Sequence, residues 1–314
     1  MSGHQGTVVE GTGGVWQVRA TDGTQVAAAL AGRLKQEERT KIKLAVGDHV
    51  TVEEEESGQG WRITAIGPRG NVLARREPGG RYGERVLAAN IDQVLVVFSI
   101  AKPEPHLRAI DRFLVVCESN DLAPHLVINK IELAESQGVL DALAKPYEMA
   151  GYPVHRTSVV RGDGLEELRM VLHGKITAVT GPSGVGKSSL LNMLHPGIAL
   201  RIGEISESVN KGRHTTVGAK LIPLPDGDDG YLVDTPGLRE VGMWGLPSGA
   251  LDQCFPEFRP YLGECKFQDC THDIEPGCAV RSALSAGTIN RGRYDSYIKL
   301  LGELQVTEKS EKDR

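Results

Sequence analysis

The stretch Ile176-Thr177-Ala178-Val179-Thr180-Gly181-Pro182-Ser183-Gly184-Val185-Gly186-Lys187-Ser188-Ser189 reads as a buried strand, a glycine-rich turn and the opening of a helix. A helix start leaves backbone N–H groups without partners and places the positive dipole end there, so this turn is predicted to cradle an anion. The glycines let the backbone close around a phosphate, Lys187 is placed to reach the β and γ phosphates, and the Ser188 hydroxyl is a natural Mg²⁺ ligand. Gly181, Pro182, Ser183, Gly184, Val185, Gly186, Lys187, Ser188 and Ser189 are therefore the predicted phosphate-binding residues.

Around this stretch, the chain of 314 residues has room for two or three domains, and 40% apolar with 25% charged residues is ordinary for a globular protein. The net charge of −5 gives no overall sign of nucleic-acid binding. No apolar run approaches the roughly 18 residues of a membrane span, and Met1 to Gly11 lacks the charged and apolar regions of a signal peptide, so a cytoplasmic location is expected. Of five cysteines, three crowd between Cys265 and Cys278, a pattern that suits a metal site better than a disulfide framework.

Residues 1–85 read as a domain of short strands broken by turns: Val15 to Val18, Val26 to Leu30, Val50 to Val52 and Trp61 to Ile66. Such a segment hides its edges most simply as a small closed barrel of the oligonucleotide-binding kind. Basic residues are segregated here. Arg33, Lys35, Arg39, Lys41 and Lys43 form one group, and Arg62, Arg69, Arg75, Arg76, Arg81 and Arg85 lead out of the barrel, an electrostatic footprint for RNA. Pro78-Gly79-Gly80 reads as a linker.

From residue 86 to 244 strands alternate with helices, which predicts an α/β domain with a parallel sheet and ligands at the carboxyl ends of its strands. Strands are expected at Val94 to Ile100, Leu126 to Ile128 and Val154 to Ser158. Helices are expected at Leu107 to Glu118, with Cys117 in the core, around Val139 to Leu143 with Pro146 as its limit, and at Leu165 to Leu172. One strand end delivers Asn129-Lys130-Ile131-Glu132 and the next Thr157-Ser158. In phosphate-loop GTPases Asn-Lys-x-Asp reads guanine: the amide meets the major-groove edge, the lysine stem covers the ring, and the carboxylate accepts from N1–H and the exocyclic amine. A site of that kind rejects a base lacking those donors by about 10⁴-fold. Asn129, Lys130, Glu132 and Ser158 are the predicted base-side residues, with Glu132 one methylene longer than the usual Asp.

In an ordinary GTPase the guanine motif follows the phosphate loop, whereas here Asn129 precedes Gly181. A domain with neighbouring termini tolerates joining the old ends and cutting elsewhere, so a circularly permuted GTPase domain is predicted. After the loop come Gly212-Arg213-His214-Thr215-Thr216, a strand from Ala219 to Leu224, and Tyr231 to Val233 leading into Asp234-Thr235-Pro236-Gly237-Leu238. Asp234 is placed to hold Mg²⁺ through water, Gly237 to offer its N–H to the γ-phosphate, and Thr215 or Thr216 to close on metal and phosphate as a switch. Leu238 stands where Ras-type enzymes use a glutamine to orient water, so His214 is the predicted catalytic residue and Arg213 the runner-up. Unassisted turnover on the order of 10⁻⁴ s⁻¹ is expected.

Residues 245–314 carry Cys265-x₄-Cys270-x-His272-x₅-Cys278, three thiolates and one imidazole that close a tetrahedral structural zinc shell. Cys254 is expected to be buried and not a ligand, Tyr294, Tyr297, Ile298, Leu301 and Leu304 to share a helix face, and Glu308 to Arg314 to form a charged, frayed tail.

With these motifs in this order, the chain resembles the RsgA (YjeQ) ribosome-biogenesis GTPases over essentially its whole length. The resemblance rests on the phosphate loop, on Gly212-Arg213-His214-Thr215-Thr216, on Asp234 to Leu238, and on Cys265-Lys266-Phe267-x-Asp269-Cys270-x-His272-x-x-Glu275-Pro276-Gly277-Cys278. It implies a GTP-hydrolysing factor for late maturation of the small ribosomal subunit, stimulated by that subunit. It further implies that barrel and zinc segment grip ribosomal RNA and that the switch histidine is catalytic. GTP or GDP with magnesium, one zinc ion and a monomeric state complete the expectation. The rivals are a permuted GTPase of the large subunit, an RNA scaffold that binds nucleotide without turnover, and a phosphate-loop ATPase.

Overall fold

The structure, a computed structural model, describes residues 3–32, 34, 43–55, 60–76, 84–196, 219–224, 229–234 and 246–312. The chain divides into two compact units. One comprises residues 1–93, 167–179 and 188–241, the other 94–166, 180–187 and 242–314.

In the first unit, β1 (His4–Thr12), β2 (Val15–Ala20), β3 (Gln25–Leu30), β4 (His49–Glu54) and β5 (Trp61–Ile66) form a closed barrel in the order β1-β2-β3-β5-β4. Alternation puts Val8, Val18, Ala28, Val50, Val52 and Ile63 inside, with Leu44 closing the core. β1 escapes the sequence pattern because its interior positions are diluted by Gly6 and Gly11. Gly6 allows close approach of backbone, since a β-carbon there would lie 2.7 Å from the Arg19 carbonyl oxygen, and one on Gly11 would lie 2.3 Å from the Trp16 ring and displace it. β6 (Val72–Arg76) and β7 (Glu84–Ala89) pair antiparallel from Val72↔Ala89 to Arg76↔Glu84. The expected linker Pro78-Gly79-Gly80 lies between them, outside the described residues.

Two of the basic residues read as an RNA footprint have structural partners. Arg69 donates to Asp48 Oδ1 at 2.6 Å and Oδ2 at 2.7 Å, and Asp48 is fully buried and also accepts from Ala45 N–H. Arg62 pairs with Glu55 at 2.6 Å. Arg33, Lys35, Arg39, Lys41 and Arg81, and the side chains of Arg75, Arg76 and Arg85, lie outside the described set.

The same unit holds β11 (Ile176–Thr180), which runs parallel to β13 (Tyr231–Asp234), and β12 (Lys220–Pro223), antiparallel to β13. The barrel meets this ribbon through Lys220, 2.6 Å from Glu10, and through Arg19, which lies over the Tyr231 ring at 5.6 Å and 3.8 Å from Asp229.

In the second unit, β8 (Gln93–Ser99), β9 (Pro124–Asn129) and β10 (Val154–Arg156) are parallel in the order β10-β9-β8. β8 is buried along its whole length, as a continuous apolar run predicts for a strand covered on both faces. α1 (Leu107–Glu118) buries Ile110, Leu114 and Cys117, in accord with its helical spacing. α2 (Gln137–Met149) does not stop at Pro146 as expected. The proline removes one donor, but Leu143, Ala144 and Tyr147 are buried around it and Ala150 N–H bonds the Pro146 carbonyl at 3.2 Å, so packing carries the helix onward. β10 ends at Arg156, short of the predicted Ser158, because Ser158 N–H turns to bond Asp163 O at 3.0 Å. α3 (Leu165–Leu172) and α4 (Lys187–Leu194), which come further along the chain, belong for most of their length to the first unit and not to this second one.

The C-terminal segment of that unit contains 3-10 turns at Ser248–Cys254 and Arg259–Tyr261, then α5 (Ala279–Ser285) and α6 (Arg291–Lys312). Leu251, Phe255, Phe258, Val280, Tyr297 and Leu300 form its core together with Val115 of α1. At the centre is Arg293, 2% exposed, donating to Asp111 at 2.7 Å and to Glu257 at 2.7 and 3.2 Å. Phe255, Tyr152 and Tyr147 surround its guanidinium at 4.6 to 5.6 Å. Burial opposes the charge, yet Glu257 and Asp111 raise the Arg293 pKa further still. The expected frayed tail is instead helical through Lys312, and Glu308 accepts from Ser248 N–H at 2.6 Å and Ser248 Oγ at 2.9 Å. Among the described residues, no helix is long and apolar enough to cross a membrane.

Candidate nucleotide site and metal centre

The phosphate loop follows β11 and ends in the first turn of α4, as its sequence requires. Gly181, Gly184 and Gly186 have φ of 134°, 80° and 94°. Two of them also allow close approach. A β-carbon on Gly181 would sit 2.0 Å from the Val97 carbonyl oxygen of β8, and one on Gly186 would sit 2.6 Å from Asn129 Nδ2. Lys187 Nζ donates to the carbonyls of Gly181 at 2.8 Å and Pro182 at 2.5 Å, which holds its ammonium against the turn. Ser188 and Ser189 follow it on the helix, both exposed.

The motif that precedes this loop in the chain meets it in space. Asn129, 1% exposed at the end of β9, donates from Nδ2 to Val185 O at 2.9 Å and accepts from Thr157 Oγ1 at 3.0 Å. Lys130, at a left-handed φ of 61°, sends Nζ to Gly184 O at 2.6 Å and to the Lys102 carbonyl. Glu132 lies in the 3-10 turn Ile131–Leu133, with Oε2 enclosed and without a hydrogen-bond partner among the described residues. Ser158 is fully buried and its Oγ accepts from Arg161 N–H at 3.1 Å. The roles of Thr157 and of the Lys102 carbonyl had no sequence signal, since both contacts depend on which strand ends are neighbours. Arg213, His214, Thr215, Thr216, Gly237 and Leu238 lie outside the described residues, as does the side chain of Asp234, whose backbone closes β13.

The second centre gathers Cys265, Cys270, His272 and Cys278, whose ligand atoms all lie within 4.8 Å of one another. Cys265 Sγ is 3.9 Å from Cys278 Sγ, and His272 Nδ1 is 3.5 and 3.4 Å from these two sulfurs. Four donors about 2.0–2.3 Å from a tetrahedral ion are separated by roughly these distances, so the residues fit a closed zinc shell. Ala279 N–H and Arg281 N–H point at Cys265 Sγ and Cys278 Sγ at 3.3 and 3.4 Å, which stabilises thiolate charge. Tyr294 OH holds the His272 carbonyl at 2.7 Å and Tyr297 OH the Thr271 carbonyl at 2.9 Å, fixing the loop to α6.

Glu275 ties the loop internally, accepting from the N–H groups of Thr271, Asp273 and Ile274 and from Thr271 Oγ1. Burial alone would raise its pKa, but these donors bring it down to about 2. Cys254 is buried apart from the cluster, its Sγ 3.8 Å from Ala250 O. Burial pushes its thiol up to about 12, in keeping with a core residue. Asp252, which no motif singled out, lies 3.3 Å from His272 Nε2.

Residues 66–244 match the RsgA GTPase family and residues 5–61 the RsgA N-terminal domain. A small ribosomal subunit biogenesis GTPase RsgA from Gemmatimonas aurantiaca is 55% identical over 300 residues, spanning 95% of this chain and 97% of that protein. The protein of that name from Shewanella oneidensis is 38% identical over 95% of this chain and 83% of its own. Among solved structures, YjeQ from Thermotoga maritima superposes with a TM-score of 0.80 at 33% identity, over 97% of this chain and 99% of that one. YloQ, described as a circularly permuted GTPase, gives 0.76 at 27% identity, over 98% and 96%. The order of the motifs, the contact of Asn129 and Lys130 with the phosphate loop, and these matches lead to one conclusion: the chain belongs to the RsgA GTPase family.

Proposed function

We propose that this protein hydrolyses GTP to GDP and phosphate in the cytoplasm as a monomeric factor for late maturation of the small ribosomal subunit, and that its nucleotide state controls its grip on ribosomal RNA. The observation that carries the nucleotide reading is the pair of bonds from Asn129 to Val185 O and from Lys130 to Gly184 O, which sets a base-reading motif beside a phosphate cradle. The turn from Gly181 to Gly186 offers backbone N–H groups to the phosphates and Lys187 adds a positive charge, while Asn129 and Glu132 select guanine. The enclosed, unpartnered Glu132 Oε2 supports that role, since a carboxylate without a donor is costly unless the ligand supplies one.

His214 positions the attacking water and accepts its proton, and Gly237 donates to the γ-phosphate. Ser188, Asp234 and Thr215 or Thr216 would hold magnesium, which neutralises charge on the β and γ phosphates. Cys265, Cys270, His272 and Cys278 would hold one structural zinc. The working parts divide as an RNA-binding barrel at 1–85, the GTPase domain at 86–244 and a zinc-binding helical domain at 245–314. The deciding experiment is phosphate release from GTP with and without isolated small subunits. Stimulation is expected, and equal rates in the two arms would refute the assignment.

A further inference from the structure

His272 presents its two ring nitrogens to different partners. Nδ1 faces the sulfurs of Cys265 and Cys278 at 3.5 and 3.4 Å, and Nε2 faces Asp252 Oδ2 at 3.3 Å. A neutral imidazole carries one N–H, so it can offer Nδ1 as a lone-pair ligand only while the proton stays on Nε2. The carboxylate that can hold it there is Asp252. Its other oxygen, Oδ1, accepts from Gln253 N–H at 2.8 Å, which leaves Oδ2 aimed at the ring. The alternative of turning the ring over is opposed by packing, since His272 is 3% exposed and the ring centroids of Phe258 and Tyr297 each lie 6.3 Å from its own.

The mount is rigid as well. Asp252 belongs to the 3-10 turn Ser248–Cys254, whose Leu251 and Cys254 are buried in one core with Val115 of α1, and the following Phe255 packs edge-on against Tyr297 at 5.3 Å. We propose that Asp252 is a positioning residue of the metal centre: it fixes the His272 tautomer and orientation and so slows escape of the bound ion. This rests on the reading above that the cluster holds zinc.

The test uses the full-length protein with its zinc content measured, and follows zinc transfer to a chromophoric chelator. Asp252→Ala is expected to release zinc about 10–100-fold faster than the parent, with Asp252→Asn intermediate and Asp252→Glu partly restored. Because Asp252→Asn keeps the side chain's shape, it reads the effect should the alanine variant fail to fold. Nitrogen NMR of the imidazole provides a signature that a purely packing role would not move: the parent should show a proton on Nε2, shifted by the substitution. Guanine-nucleotide affinity should be unchanged. A parent holding one zinc whose release rate stays within about two-fold in the alanine and asparagine variants would overturn the proposal and leave the zinc reading intact. A parent purified without metal, and unable to take up zinc, would overturn both.

Discussion

Replacing Arg293 by methionine tests how the C-terminal segment is seated on α1. The guanidinium is 2% exposed and makes three bonds to two carboxylates, Asp111 and Glu257, that are themselves buried. Methionine fills much of the space yet leaves both carboxylates without their cation, and breaking a buried pair in this way costs about 3–5 kcal/mol. Lost contact with the Phe255, Tyr152 and Tyr147 rings adds to that. At about 2–4 °C per kcal/mol for a unit of 150–250 residues, the melting midpoint should fall by roughly 6–20 °C. The assay is thermal unfolding followed by circular dichroism, with amide exchange on α6 to locate the loss. If uncompensated charge is the cause, Arg293→Met combined with Asp111→Asn and Glu257→Gln should recover a good part of it. A single variant melting within about 2 °C of the parent, or a triple variant no better than the single, would refute the reasoning.

Three further outcomes are expected. Lys187→Ala should abolish tight GTP and GDP binding in a fluorescent-nucleotide titration, and retained affinity would contradict the cradle. His214→Ala should lower single-turnover hydrolysis by at least about 10²-fold with nucleotide affinity intact, the scale of a positioned acid or base group; an unchanged rate would move that role to another residue. Stripping metal with a chelator should raise amide exchange around Cys265 to Cys278 and in α5 while leaving the fluorescence of Trp16 and Trp61 in the barrel as it was, and uniform unfolding would argue against a local zinc knot.

How much was legible beforehand depended on whether a residue's meaning is local. The phosphate loop and the cysteine cluster carry theirs in spacing alone, because one turn or one ion dictates which residue type must stand where. The barrel could be inferred from turns and alternation, but β1 could not, since Gly6 and Gly11 serve the neighbouring strand and not their own. Glu308 falls in the expected frayed tail and no pattern marks Arg293, and only the tertiary neighbours Ser248, Asp111 and Glu257 show that they are anchors. Pro146 misled for the same reason: a local rule predicted a stop where packing of Tyr147 favoured continuation. Asp252 is separated from its imidazole by a stretch with no recurring spacing, so nothing short of coordinates would have paired them.

The bond from Asn129 Nδ2 to Val185 O gives one side chain two employments, as the proposed reader of the nucleobase and as a brace for the turn proposed to grasp the phosphates. Chemical choice and binding strength are thereby soldered together. If the proposed base-reading roles hold, changing Asn129 to recruit a different purine would also slacken the turn beside it, whereas Glu132 Oε2 makes no such bond among the described residues and is the better place to alter selectivity.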